Sequence, residues 1–263
     1  MAPAHKRRTS IAAEVRAVSG SSVFFVGMMV SALIIVPLSL LLRPFSYRVR
    51  FGFVSQWARF NLWSLGWLCG LRFNVTGTEN IPDKVGVAFC KHQSTWETLA
   101  LQQVLPDQAW VLKEELLGIP VFGWGLAVLE PIAIDRNAGR KAVDQVVNEG
   151  RDRLAKGRWI VVFPEGTRIG VGERKKFGVG GVILAKKAGA DILPIVHNAG
   201  CYWPRHGFIK RAGVIQMVIG KPITSSDKTL KELNNEAKEW IDRETHRLEV
   251  EAGCVPESDI PAN

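Results

Sequence analysis

The sequence feature that most constrains folding is an uncharged run near the N-terminus. Residues 21–42 contain no Asp, Glu, Lys or Arg. As a helix this run is about 33 Å long, at about 1.5 Å per residue, which is enough to cross a hydrocarbon core of about 30 Å. A cleaved signal peptide is the alternative, but Pro37 interrupts the run, and Arg43 and Pro44 follow it where small cleavage-site residues are expected. The run therefore predicts a membrane helix retained in the mature protein.

A second apolar stretch, residues 51–73, contains three tryptophans and only two charged residues. Aromatic and basic side chains are typical of helices at the headgroup level of a bilayer. The two segments together predict a helical hairpin that enters and leaves the membrane on one face. The alternative for the second segment is a helix buried against the folded domain.

The charge distribution indicates which partner the chain binds. The formal net charge is +9, and residues 1–50 alone hold seven basic residues against one Glu. Basic side chains beside an apolar segment are attracted by acidic lipid headgroups, whereas a nucleic-acid site spreads its charge over a folded face. We therefore expect membrane lipids as partners and no nucleic acid.

Beyond Asn74 short β-branched runs alternate with helical patterns, which predicts an α/β layered domain. Its sheet is expected to be central, mixed and mostly parallel, with helices on both sides. The chain then divides into a basic segment (1–20), a membrane-associated hairpin (21–73), the α/β domain (74–250) and a loose tail (251–263). The predicted strands are 85–90, 110–112, 131–135, 159–163, 192–196 and 213–219, and the predicted helices are 95–105, 138–156, 182–188 and 227–249.

The stretch 90–97, Cys-Lys-His-Gln-Ser-Thr-Trp-Glu, lies where a predicted strand passes into a predicted helix. If Ser94 is the helix N-cap, His92 precedes the helix and folds back toward Glu97 in its first turn. That carboxylate would hold one imidazole nitrogen as a donor and leave the other basic. The alternative is a capping box, in which Glu97 bonds the N-cap amide and no catalysis is needed.

Charged residues recur at the carboxyl ends of three predicted strands, which is the edge where α/β sheets bind ligands. We therefore expect them to line one site with His92. The basic candidates for holding a phosphate are Lys113, Arg136 and Arg168. The turn that contains Glu165, Gly166 and Thr167 offers backbone amides for a polar ligand or a developing oxyanion.

The four cysteines, Cys69, Cys90, Cys201 and Cys254, show neither metal-ligand spacing nor a paired framework. We expect reduced cytosolic thiols. A covalent route through Cys90 is an alternative, because residues two apart on a strand share a face and Cys90 is two residues from His92. Cys90 ends an apolar strand, however, and buried cysteines are usually inert.

Four motifs carry a resemblance to a known family. His-x-x-x-x-Glu (92–97), GWGLAVLEPIAIDR (123–136), FPEGTR (163–168) and LPIV (193–196) resemble, in that order, the signature blocks of the 1-acyl-sn-glycerol-3-phosphate acyltransferases. These enzymes are also called lysophosphatidate acyltransferases and belong to the wider glycerolipid acyltransferases. The resemblance covers about residues 85–200. One departure is Glu97, where the commonest family form has Asp, although Glu also occurs in bacterial branches.

The resemblance implies transfer of a fatty acyl group from acyl-CoA or acyl-carrier protein to the 2-hydroxyl of lysophosphatidate, giving phosphatidate. His92 would be the general base and Glu97 would orient it. Arg136, Arg168 and Lys113 would hold the phosphate, with Glu165, Gly166 and Thr167 shaping the pocket. No metal or other cofactor is expected.

Two rival functions remain at this point. One is a related acyltransferase that acts on glycerol 3-phosphate or a lyso form of an amino-acid lipid. The other is a non-catalytic membrane lipid-binding protein. The expected location is a bacterial-type inner (cytoplasmic) membrane, with the catalytic domain on the cytoplasmic face.

Overall fold

The computed structural model describes residues 10–257. The helices are α1 (Ile11–Leu41), α2 (Tyr47–Cys69), α3 (Trp96–Val104), α4 (Phe122–Val128), α5 (Arg140–Ala155), α6 (Gly180–Ala188) and α7 (Leu230–Glu251). The strands are β1 (Leu71–Thr76), β2 (Val87–Cys90), β3 (Gln108–Lys113), β4 (Ile132–Ile134), β5 (Trp159–Val162), β6 (Ile192–His197) and β7 (Gly213–Ile219). The basic triplet at residues 6–8 and the last six residues of the predicted tail lie outside the described part.

The strands form one sheet in the order β1-β7-β6-β2-β5-β3-β4. All neighbouring pairs are parallel except β6 with β7, which is antiparallel. The sheet is therefore mixed and mostly parallel, as predicted. β2 lies between β6 and β5, so residues that follow β2 and β5 emerge side by side at the carboxyl edge.

The sheet separates two hydrophobic cores. Side chains alternate along β2, so Ala88 and Cys90 join one core while Val87 and Phe89 join the other. The first core is completed by α2 and α3, and the second by α5, α6 and α7. This three-layer arrangement is the predicted α/β fold.

Strand β1 is absent from the sequence-based prediction, which assigned residues 71–73 to the apolar stretch before the domain. In the structure α2 ends at Cys69, and Gly70 adopts a left-handed conformation with φ 65°. Glycine is the usual residue at this position after a helix, so Gly70 was the available stop signal. The chain then enters β1, which pairs with β7.

The N-terminal helix α1 begins at Ile11, ten residues before the uncharged run, because Ser10 accepts a hydrogen bond from the Ala13 amide as its N-cap. Within residues 10–257 it is the one helix long and apolar enough to cross a membrane, and 11% of its most apolar 18-residue stretch is buried. A signal sequence near the N-terminus can have the same length and apolar composition.

Helix α1 lies along the folded domain. A Cβ atom on Gly20 would lie 2.3 Å from the Leu68 carbonyl oxygen, so the two helices cross at close range there. Farther along, the Phe24 ring meets Trp203 edge-on, with centroids 5.7 Å apart. Trp57 of α2 then donates from Nε1 to the Ser31 hydroxyl over 3.0 Å. The two predicted segments do form a pair of adjacent helices.

Helix α2 combines the two environments considered for it. One face is buried on the domain through Phe51, Leu62 and Leu65. Its other face exposes an aromatic row, Phe60, Trp63 and Trp67, whose neighbouring ring centroids are 6.1 Å apart.

Candidate active site

The His92 side chain lies on the turn between β2 and α3 and folds back onto the first turn of α3. Its Nδ1 is 2.8 Å from Oε1 of Glu97, and its imidazole stacks on the Phe163 ring at 3.8 Å between centroids. The side chain is partly exposed, at 16%, while that of Glu97 is fully buried. The fold-back expected from the sequence is therefore present.

Glu97 contacts both the His92 ring and the backbone amides that precede α3. Its Oε1 accepts hydrogen bonds from the backbone amides of Gln93 at 2.9 Å and Ser94 at 2.8 Å, in addition to the contact with His92. With Ser94 as the N-cap, helix α3 would begin at Thr95. In the structure it begins one residue later, at Trp96. The Ser94 hydroxyl still accepts from the Trp96 amide at 3.2 Å.

These contacts define the protonation pattern of the pair. Burial opposes ionisation of Glu97, but the hydrogen bonds from His92 and the Ser94 amide favour the charged form and the pKa of the carboxyl is lowered. An ionised carboxylate only accepts hydrogen bonds, so Nδ1 of His92 is the donor. In the neutral ring Nε2 is then unprotonated, and no described residue forms a hydrogen bond to it. This nitrogen is positioned to accept a proton.

A second histidine, His197, lies behind the pair and was not predicted from the sequence. Its Nδ1 accepts from the Ala199 amide at 3.2 Å, so its Nε2 carries the proton and donates to the Lys91 carbonyl at 2.9 Å. Burial lowers the pKa of His197, which agrees with this neutral tautomer. The same Nε2 lies 3.7 Å from Oε2 of Glu97. The buried carboxylate therefore has a polar group on each side.

Glu165, which the sequence analysis assigned to the wall of the ligand pocket, points into the protein. It is 2% exposed, and its Oε1 lies 3.1 Å from Nζ of the buried Lys91. Its Oε2 accepts from the His92 amide at 3.2 Å. Burial raises the pKa of Glu165 despite the nearby Lys91. The Glu165 side chain therefore supports the backbone of His92 from within the protein.

The turn after β5 joins the other two strand ends. Gly166 has φ 72°, a left-handed conformation that glycine adopts without strain. Arg136 Nη1 donates to the Gly166 carbonyl, and Arg168 Nη1 donates to Thr95 Oγ1 at 3.0 Å. The Ile169 amide donates to the His92 carbonyl at 2.9 Å. The structure thus brings Arg168 to the turn that carries His92, and Arg136 to the neighbouring turn after β5.

Two other predicted residues are more peripheral. Thr167 is exposed beside Gly166 on the same turn. Lys113, at the end of β3, is 48% exposed and pairs with Glu115 at 3.4 Å. The pKa of Glu115 is lowered by a hydrogen bond from the Glu115 backbone amide, and by the positive charges of Lys113 and Arg136. No described residue links Lys113 directly to His92 or Glu97.

Cys90 is fully buried, and burial raises the pKa of its thiol well above the ordinary value. Its Sγ donates to the Lys91 carbonyl at 3.3 Å. The nucleophilic form of cysteine is the thiolate, which this environment disfavours. The geometry therefore supports direct transfer over an acyl-cysteine intermediate. Among residues 10–257 no group of three or more His, Cys, Asp or Glu side chains is arranged to hold a metal ion.

Residues 72–198 match the model of the Acyltransferase family. The chain is 45% identical to the 1-acyl-sn-glycerol-3-phosphate acyltransferase of Pseudomonas aeruginosa over 223 residues, which is 83% of this chain and 87% of that protein. It is 29% identical to the Saccharomyces cerevisiae protein of the same name, over 72% of this chain and 63% of that one.

The fold also resembles a solved structure. The crystal structure of the 1-acyl-sn-glycerophosphate (LPA) acyltransferase PlsC from Thermotoga maritima superposes with a TM-score of 0.75 at 21% sequence identity. The match covers 90% of this chain and 97% of that chain. The fold of most of the chain therefore has a known counterpart.

Proposed function

The chain belongs to the 1-acyl-sn-glycerol-3-phosphate acyltransferases, and we propose that it performs its acyl transfer by direct attack, with His92 as general base. The acceptor is the 2-hydroxyl of 1-acyl-sn-glycerol 3-phosphate, and the product is phosphatidate. One observation carries the mechanism: His92 Nδ1 is held by the buried Glu97 carboxylate at 2.8 Å, which leaves Nε2 as the unprotonated nitrogen of the neutral ring.

The proposed step moves one proton twice. Nε2 of His92 takes the proton of the 2-hydroxyl as the oxygen attacks the thioester carbonyl, and Glu97 stabilises the imidazolium that forms. The tetrahedral intermediate then collapses, the carbon–sulfur bond breaks, and the leaving thiolate receives the proton from Nε2. A positioned base of this kind contributes typically about 10²- to 10⁴-fold to the rate.

The substrate phosphate is proposed to bind the guanidiniums of Arg136 and Arg168, with Lys113 at the periphery. Each arginine donates one N–H group to the protein: Arg136 to the Gly166 carbonyl and Arg168 to Thr95 Oγ1. The remaining N–H groups can donate to phosphate oxygens as charge-assisted hydrogen bonds. Gly166 and Thr167 would form the pocket wall through their backbone.

The donor in this proposal is acyl-CoA or acyl-carrier protein, both of which present the acyl group as a thioester. The base, the carboxylate and the guanidiniums supply each proton and charge that the transfer needs. The proposal therefore includes no metal ion and no other cofactor.

Membrane attachment is proposed to use the exposed apolar surface of the two N-terminal helices. Contacts at Gly20, Phe24 and Ser31 hold α1 along the domain, which favours a helix pair embedded in one leaflet over a helix that projects across the bilayer. The exposed aromatic row of α2 suits the headgroup level. Because the thioester donors are cytosolic, we place the catalytic domain on the cytoplasmic face of the inner membrane.

Anchoring has an energetic advantage for this reaction. Lysophosphatidate and phosphatidate reside in the bilayer, and moving an acyl chain of roughly 16 carbons into water would cost on the order of 10 kcal/mol, at about 0.8 kcal/mol per methylene. A site held at the surface receives the acceptor without that cost.

The test is an acyl-transfer assay of purified protein in mixed micelles with a panel of acceptors and donors. Lysophosphatidate is compared with glycerol 3-phosphate and a lyso amino-acid lipid, each with acyl-CoA and with acyl-carrier protein. We expect phosphatidate to be the main product. Preference for a phosphate-free acceptor would refute the assignment of the arginines, and lipid binding without turnover would favour a non-catalytic protein.

A further inference from the structure

A buried glutamate on the last helix contacts the catalytic turn from behind. Glu249 lies near the end of α7 and is 2% exposed. Its Oε1 accepts from Gln93 Nε2 at 2.5 Å, and its Oε2 accepts from the Gly172 amide at 3.1 Å. Neither contact is local, because Gln93 is 156 residues away in sequence.

The contact with Gln93 leads directly to the proposed base. Gln93 follows His92, is fully buried, and donates its backbone amide to Oε1 of Glu97. The same oxygen receives Nδ1 of His92. The second polar atom of the Gln93 side chain, Oε1, has no hydrogen-bond partner in the described part of the chain. The Gln93 side chain is therefore fixed by Glu249.

The contact with Gly172 reaches the second half of the site. Gly172 belongs to the loop that continues from Arg168, and the Ile169 amide in this loop donates to the His92 carbonyl. Glu249 therefore holds the turn after β2 with one oxygen and the loop after β5 with the other. These two segments contribute the proposed base and one of the phosphate-binding arginines.

A carboxyl group at this position is unfavourable for folding unless it is bonded. Burial raises the pKa of Glu249, although the hydrogen bonds from Gln93 and Gly172 and the nearby Lys91 act in the opposite direction. An apolar side chain would avoid this desolvation cost but would leave the Gln93 amide group and the Gly172 N–H without an acceptor. The polar contacts thus account for a glutamate here.

We propose that Glu249 is a positioning residue for acyl transfer, acting through Gln93 and Gly172 on the placement of His92. The proposal rests on the general-base function of His92. The sequence motifs of the site do not include Glu249, and only the long-range packing of α7 brings it there. A displacement of about 1 Å in a reacting group can lower the rate about 10²-fold, so a small shift of the turn that carries His92 should produce a measurable fall in kcat.

The experiment compares kcat and KM for lysophosphatidate in wild type, Glu249→Ala, Glu249→Gln, Gln93→Ala and the double variant Gln93→Ala/Glu249→Ala. We expect Glu249→Ala to lower kcat by about 10- to 100-fold and to change KM by less than about threefold, because Arg168 keeps its own hydrogen bond to Thr95 Oγ1. Glu249→Gln keeps an acceptor for one of the two donors, so it should retain more activity than Glu249→Ala.

Non-additivity is the second criterion. If Glu249 acts through Gln93, the double variant should lose little more activity than the worse single variant. Glu251→Ala is the matched control, because Glu251 lies two residues away on the same helix and is exposed. We expect its kcat to equal that of wild type. Thermal melting of every variant confirms folding at the assay temperature, and if Glu249→Ala does not fold, Glu249→Gln and Gln93→Ala decide by the same criteria.

His92→Ala in the same assay separates the two proposals. Inactive His92→Ala beside a folded Glu249→Ala with wild-type kcat would overturn the positioning function alone. An active His92→Ala would instead refute the general-base mechanism. A rise in KM at unchanged kcat, or losses that multiply in the double variant, would also overturn the positioning function.

Discussion

Replacing Glu97 by Gln removes one charge from the site and keeps its shape. The backbone amides of Gln93 and Ser94 both donate to the Oε1 position, so the substituted amide should place its carbonyl oxygen there. Nδ1 of His92 then still finds an acceptor, and the ring keeps the tautomer with a basic Nε2. The new NH₂ group occupies the Oε2 position near His197. The variant therefore isolates the electrostatic contribution of the carboxylate.

The size of this contribution follows from the geometry of the pair. The imidazolium and carboxylate charges are delocalised, so their centres lie about 4 Å apart around the 2.8 Å contact. At an effective dielectric constant of about 20, two unit charges at this separation attract by about 4 kcal/mol. Since about 1.36 kcal/mol corresponds to a tenfold change in rate, the loss in kcat should be about 10³-fold at most.

The assay measures kcat and KM for lysophosphatidate at saturating acyl donor, with thermal melting as a check on folding. We expect KM to change by less than about threefold, because the charge acts on the transition state. Glu239→Gln, an exposed site on α7, is the control and should match wild type. A kcat within tenfold of wild type, or a loss that appears in KM alone, would refute the electrostatic function of Glu97.

Three further predictions concern other parts of the site. Arg168→Ala should raise KM for lysophosphatidate by about 10- to 100-fold in steady-state kinetics, since a charge-assisted hydrogen bond is worth about 1.5–3 kcal/mol; an unchanged KM would contradict phosphate binding there. Cys90→Ala should keep kcat within about threefold of wild type, because the thiol is buried and protonated, whereas loss of turnover in folded protein would favour a covalent route. His197 is neutral when folded and its pKa is lowered, so the unfolded chain binds the extra proton as pH falls below about 6.5. The stability that His197 contributes is therefore present above that pH and lost below it, and the Tm difference between wild type and His197→Gln should narrow from pH 7.5 to 5.5; a constant or widening difference would contradict the neutral tautomer.

The sequence was sufficient to predict the position of His92 and its partner, because both lie within one strand-to-helix turn and depend on local geometry. The placement of Arg136 and Arg168 at the same edge of the sheet followed from the rule that parallel strands share a carboxyl edge. The individual hydrogen bonds of the two arginines could not be predicted in this way, since Arg136 reaches the Gly166 carbonyl across an intervening strand. Glu165 shows the limit of the approach, because its inward direction depends on the buried Lys91.

The residues that sequence reasoning missed are those whose partners lie far away in the chain. Lys91 directly precedes His92, and a charged residue at the end of an apolar strand was the one local signal that a buried partner exists. His197 and Glu249 gave no such signal, because they face the site only after β6 and α7 have packed. Gln93 lay within the predicted motif, but its function depends on Glu249.

The most direct test of the general-base mechanism is the turnover number of His92→Ala with lysophosphatidate, measured beside lipid binding by the same folded protein. Removing the base should lower kcat by about 10²- to 10⁴-fold while vesicles containing lysophosphatidate still retain the protein with wild-type affinity. A kcat within tenfold of wild type would contradict the function assigned to Nε2 of His92.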